Sequence, residues 1–137
     1  MEDFATFEIA KKLKEKGFNE PCRNAISSYY CTYQDGWCEY LDNRESLDIT
    51  MDDLHEGDYL LPTIHQTLKW LREEKRIYIV IQPFPSMATH DLVVWSWSFK
   101  HNSNGCNIDN TFSDDENYLT YEQAALAGIE YVLDNLI

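Results

Sequence analysis

Apolar residues recur at helical spacing in three stretches of the chain and alternate in several others. In "TFEIAKKLKEKGF", Ile9, Ala10 and Leu13 form a narrow apolar stripe, and Lys11, Lys12, Lys14 and Lys16 take the opposite side. Thr6 is a good N-cap, Glu8 suits the positive end of the helix, and Gly17 is placed to stop it in the left-handed conformation. Phe18 is then positioned to fold back on Leu13. In "LPTIHQTLKWLREEK", Ile64, Leu68 and Leu71 share one face and Trp70 lies at its edge. Thr63 with Gln66 fits a capping box, and Arg72, Lys75 and Arg76 suit the negative end. The third stretch, "TYEQAALAGIEYVLDNLI", has a second capping box at Thr120 and Gln123. Its stripe runs through Tyr121, Ala125, Gly128, Val132 and Leu136. The small residues Ala124, Ala125, Ala127 and Gly128 imply close approach to something flat, such as a sheet.

The alternating stretches read as strands. "AISSYYCTY" and "WCEYL" are joined by Gln34-Asp35-Gly36, and Asp-Gly between β-rich runs is a hairpin signal. Residues 43–58 are acidic and lack periodicity, which predicts an exposed loop with room for a short strand at Ser46–Ile49. "IYIVIQPF" is a strand that Pro83 either ends or confines to a sheet edge. In "LVVWSWSF", Val93, Trp95, Trp97 and Phe99 share one face, and Leu92, Val94, Ser96 and Ser98 share the other. "PSMATHD" joins the two. A long structureless run after Lys100 does not suit a compact domain. The Asn104-Gly105 turn and the alternation of Ile108, Asn110 and Phe112 predict a further strand at about Cys106–Phe112, followed by the acidic loop "SDDEN". The order α-ββ-α-βββ-α implies an α+β fold, with three helices packed on an antiparallel sheet and residues 1–137 forming a single domain. Thr6, Thr63 and Thr120 are spaced by 57 residues each time. Shared capping chemistry accounts for that echo, with ancestral duplication as the alternative.

Composition narrows the partners. At 44% hydrophobic and 14% aromatic, the chain is too apolar for a disordered one and long enough for a real core. Its net charge of −13 disfavours nucleic acid, whose phosphates need a basic footprint, and disfavours an anionic membrane surface. A basic protein or a cation is compatible with it. The acids are unevenly placed. Residues 35–58 hold nine of them against Arg44 alone, and residues 86–137 hold eight against Lys100 alone. "MEDFATFEIAKKLKEKG" has no apolar signal-peptide core, and no apolar run reaches membrane-spanning length. The expectation is a cytoplasmic protein with reduced cysteines.

Catalytic grammar is sparse. Cys22, Cys31, Cys38 and Cys106 contain no C-x-x-C and lack zinc-site spacing. Cys31 and Cys38 flank the Asp35-Gly36 turn, where a hairpin metal site or disulfide is the alternative to small sheet residues. His55, His65, His90 and His101 form no ligand pair on one helix face, and His101 with Cys106 is too local for an ordinary Cys–His dyad. "DDLHEGD" and "NIDNTFSDDE" are oxygen-rich but do not match a calcium loop. No nucleophile elbow or phosphate-cradling glycine motif occurs. No catalytic, cofactor-binding or metal residue is therefore assigned. Trp95, Trp97 and Phe99 could stack bases, but they lack basic neighbours, so core packing beneath the helices is expected. With four Trp and nine Tyr, some aromatics must reach the surface, where they commonly anchor protein interfaces.

The segments "FATFEIAKKLKEKGFNEPC", "TIHQTLKWLREEKRIYIVIQPF" and "TYEQAALAGIEYVLDNLI" together resemble a family of small proteins of Bacteroides-type bacteria and their phages and prophages. In that family an "A-K-K-L-K-E-x-G-F" helix opens the chain, a "Q-K-W-L-R-E-x" helix runs into an alternating strand, and a "[ST]-Y-E-x-A" helix closes it. The match is weakest over Asn24–Glu56. The family has no assigned activity, so the resemblance carries over no catalytic residue. It implies context: a cytosolic accessory protein, often carried by mobile or phage DNA.

These readings converge on an accessory protein that acts by binding another protein. Its speculative interaction surface comprises Asp35, Asp52, Asp53, Asp58, Asp114, Asp115 and Glu116. The first alternative is an inhibitor that imitates duplex phosphate towards a nucleic-acid-binding or defence protein. It requires the two acidic segments to form one face. The second alternative is a small-ligand-binding domain or enzyme, which requires a pocket with convergent polar groups such as His65 or His90 with acids.

Overall fold

A computed structural model describes residues 3–27, 50, 52, 54, 56–86, 92–101, 110–113 and 117–137. The chain divides into two compact units, Met1–Thr63 and Ile64–Ile137. The described elements follow the order α-ββ-α-βββ-α, an α+β fold. Their strands form two antiparallel sheets, one of two strands and one of three, where the sequence implied a single sheet.

In the first unit, helix α1 spans Phe7–Glu15 and buries Ile9, Ala10 and Leu13. The Thr6 hydroxyl accepts from the Ile9 N–H at 3.3 Å and so satisfies one of the helix's free amides. At the other end Gly17 adopts φ 93. Its N–H donates to the Lys14 carbonyl at 3.2 Å, and the Phe18 N–H donates to the Leu13 carbonyl at 3.0 Å. This pair of bonds is the Schellman stop, and it brings the chain back at a buried Phe18.

Strand β1 (Asn24–Ser27) pairs with β2 (Asp58–Leu61), with Asn24 opposite Leu61 and Ser27 opposite Asp58. The sequence reading instead placed the partner of β1 across Asp35-Gly36. That expected hairpin, beyond its first residues, lies outside the described residues, as does the short strand at Ser46–Ile49. β2 falls where a loop and a helix lead-in were expected. It is only four residues long, and Leu60 and Leu61 are both buried, so it shows no apolar–polar alternation. Beyond β2, the Ala5 N–H donates to the Pro62 carbonyl at 2.9 Å and Phe4 bridges to Thr63. Lys14 fastens α1 to β2. Its Nζ donates to the Asp58 carbonyl at 3.3 Å and stands 4.9 Å from the centre of the Tyr59 ring. Phe7 meets the same ring edge-on at 5.7 Å.

In the second unit, α2 (Ile64–Glu74) buries Ile64, Leu68 and Leu71 as its periodicity predicts, together with Trp70 and Thr67. The Lys75 ammonium sits 5.4 Å from the centre of the Trp70 ring. Arg76 then takes φ 57, the left-handed conformation in which a side chain costs about 1–2 kcal/mol and glycine does not. Arg76→Gly is expected to raise stability by about 0.5–1 kcal/mol, the relief being partly offset by the glycine's greater freedom when unfolded. A urea midpoint at or below that of the wild type would show that the Arg76 side chain holds this turn.

Strands β3 (Ile77–Pro85), β4 (Val93–His101) and β5 (Asn110–Ser113) form an antiparallel sheet in that order. Helix α3 (Tyr121–Asn135) begins at Thr120, whose hydroxyl accepts from the Gln123 N–H at 3.1 Å. The Gln123 side chain accepts in return from the Leu119 N–H at 3.2 Å, one residue ahead of the usual capping-box partner. α3 packs on the face of Trp97 and Phe99, both buried, with the Tyr131 ring 5.2 Å from the first and 6.0 Å from the second. Gly128 seats the helix there. A Cβ at that position would stand 3.1 Å from Ile79 Cγ2 and 3.2 Å from two atoms of the Trp97 indole. The close approach inferred from the small residues of this helix is therefore present.

Candidate interaction surface

Ladder parity determines what the far end of β3 and β4 presents. The Ser86 N–H donates to the Leu92 carbonyl at 2.8 Å, so those two residues form a hydrogen-bonded pair. Trp95 exchanges both of its backbone bonds with Tyr118, on the side away from β3, each at 2.7 Å. Hydrogen-bonded and non-bonded pairs alternate along an antiparallel ladder. Pro83, opposite Trp95, and Pro85, opposite Val93, therefore occupy non-bonded positions, and their nitrogens and carbonyls point outward from β3. A strand can run through two prolines there because the missing N–H groups were never needed by the ladder. Pro83 thus marks an edge and does not end the strand.

Side chains divide by the same parity. Pro83, Pro85, Val93 and Trp95 lie on the face that α3 packs against, and Phe84, Leu92 and Val94 lie on the other. Trp95 is half-buried against Tyr121, edge-on at 5.6 Å, and His65 lies 6.3 Å beyond Tyr121. The strand ends leave Phe84 45%, Leu92 52% and Val93 51% exposed. Leu119, which follows Tyr118 in the chain, is 69% exposed. Scattered exposed apolar residues are ordinary, but here four large ones lie within a few residues of one sheet end, with Phe84 and Leu92 on one face and Val93 on the other. The opposite end of the same strands differs: Ile77 is buried and Lys100 faces solvent.

The predicted acidic surface fares unevenly. Asp52 is exposed. Asp58, the first residue of β2, is only 4% exposed, which withdraws its carboxylate from any such surface. Asp35, Asp53, Asp114, Asp115 and Glu116 lie outside the described residues. Cys31, Cys38, Cys106, His55 and His90 do as well. Cys22 is buried, and its thiol donates to the Glu20 carbonyl at 3.3 Å. His65 is exposed and His101 half-buried. Among the described residues no three His, Cys, Asp or Glu side chains are grouped to hold a metal ion, and no helix is long and apolar enough to cross a membrane. Trp97 and Phe99 are core residues beneath α3, which removes them from any base-stacking platform.

No family model matches the chain, and neither a curated protein nor a solved structure matches it.

Sequence reasoning missed this exposure. It assigned Val93 to the face of Trp95, Trp97 and Phe99, the stripe it expected to pack beneath the helices. The available signal was Pro-x-Pro at Pro83 and Pro85, which places the strand on an edge and shortens the part of it that a helix can cover.

Proposed function

We propose that the protein acts by binding another protein through the apolar end of the β3–β4 pair. The observation that supports this is the exposure of Phe84, Leu92, Val93 and Leu119 around one sheet end, with the half-buried Trp95 on the face of Val93. Aromatic and aliphatic groups gathered in this way supply the centre of a protein interface, where most binding energy concentrates. The net charge of −13 selects among partners, favouring a basic protein and opposing a second copy of the chain. An accessory role of this kind also fits the resemblance in the three helical segments.

The test is positional. A photoreactive side chain placed at Phe84 or Val93 in the full-length protein should give one discrete crosslinked partner in the producing cells. The same group at Lys69 or Glu73, exposed on α2, should give none. Adding Leu92→Ser to the crosslinking variants should lower the yield at least fivefold without changing the circular dichroism. Equal crosslinking from both regions, or a product containing only this chain, would overturn the proposal.

A further inference from the structure

The same sheet end carries a recognition chemistry beyond its apolar side chains, and this inference rests on the interface reading above. An ordinary edge strand offers donors and acceptors in alternation and so invites a partner strand. At Pro83 and Pro85 the outward positions of β3 have carbonyls and no N–H. Neither carbonyl accepts a hydrogen bond among the described residues. Both residues are exposed, with Gln82 and Phe84 between and beside them. This stretch of edge is therefore made of acceptors only. A partner strand laid against it would leave its own carbonyls unmatched there.

We infer that the β3 edge at Pro83 and Pro85 is a docking site for a basic, apolar peptide segment of a protein partner, whose Arg or Lys side chains donate to the two outward carbonyls. Arg suits this arrangement because its planar fork carries five donors and no acceptor. Glu122 is half-buried beside Tyr121 in the first turn of α3. The net charge of −13 of the chain favours a basic segment over an acidic one. The apolar residues of the segment would meet Phe84, which is exposed on the same strand. The two prolines then have two effects: they block strand addition, and they leave acceptors that only side-chain donors can use.

The test uses the ¹⁵N-labelled full-length chain and two synthetic twelve-residue peptides, one alternating Arg with Leu and the other Gln with Leu. The Arg peptide should shift the amides of Gln82, Phe84 and Ser86, and bind at least tenfold more tightly than the Gln peptide. Its affinity should fall as salt rises. The double variant Pro83→Thr/Pro85→Thr restores the outward N–H groups. It should narrow the difference between the peptides to less than threefold by admitting the Gln peptide as an added strand. Equal binding of the two peptides at these residues of the wild type would remove the acceptor-edge inference and leave the interface reading standing. Shifts spread over the acidic surface, with none concentrated at these residues, would overturn the inference as non-specific polyanion binding. If neither peptide moved these amides, the inference would fail; an accompanying failure of the crosslinking at Phe84 and Val93 would remove the interface reading too.

Discussion

Gly128→Leu should lower the stability of the protein by about 3 kcal/mol, at the upper end of the cost of overpacking a core. Glycine in a helix interior costs about 1 kcal/mol relative to alanine, so its presence in the middle of α3 is not explained by helix formation. It is explained by distance. A Cβ there would approach Ile79 Cγ2 to 3.1 Å and the Trp97 indole to 3.2 Å, closer than ordinary carbon contact. Alanine gains helix propensity and requires the indole to yield by a few tenths of an ångström, so Gly128→Ala should fall within about 1 kcal/mol of the wild type. Leucine adds three further carbons directed at a buried ring and a strand that α3 already touches. The helix must lift or the sheet must bend. Urea unfolding followed by far-ultraviolet circular dichroism measures both variants. Equal stability of the leucine and alanine variants would mean that α3 is not seated on Ile79 and Trp97.

How much of this was legible in the chain depends on the range of each determinant. The Thr6 cap and the Gly17 stop act within a few residues and are present as read, and the Thr120–Gln123 pair differs only in that the Gln123 side chain bonds to Leu119 and not to Thr120. The face of α2 was legible because Ile64, Leu68 and Leu71 repeat at helical spacing. Thr67 was missed because its hydroxyl makes it look like a surface residue, although it is fully buried. The two long strands were legible from alternation, and the strand at Asn110–Ser113 from a turn dipeptide and the limit on loop length. β2 was not legible. It is too short to show a period, and its described partner is more than thirty residues earlier in the chain. Asp58 was consigned to the surface for the same reason. The candidate surface depends on which β3 residues hydrogen-bond to β4, and ladder parity is set by pairing between strands. No single segment contains it. Pro83 offered the edge as one of two readings, but the outward carbonyls required the register. Asn24 is fully buried in β1, and neither atom of its carboxamide has a hydrogen-bond partner among the described residues. Sequence pattern offered no hint of that, and the structure gives no physical account of it.

Trp97→Ala should be the most damaging single truncation in the second unit, at about 4 kcal/mol, within the range for emptying a large aromatic side chain from a core. Trp97 is 3% exposed and packs against Tyr131 on one side and the Gly128 backbone on another. Removing the indole leaves a void that a rigid helix and two strands cannot readily close. Trp95→Ala is the matched control. Trp95 lies two residues away on the same face but is half-buried at the sheet's end, so its loss should cost clearly less. A double-mutant cycle joins this result to the first. The void opened by Trp97→Ala is the space into which a leucine side chain at position 128 would project. Gly128→Leu should then cost at least about 1 kcal/mol less in that background than in the wild type, the size of coupling expected of residues in direct contact. Additive effects would show that the two sites do not meet. A Trp97→Ala variant as stable as the wild type would place the indole outside the core. The Trp95–Trp97–Phe99 face would then again be a surface free to stack against a ligand, and Val93 would be only its margin.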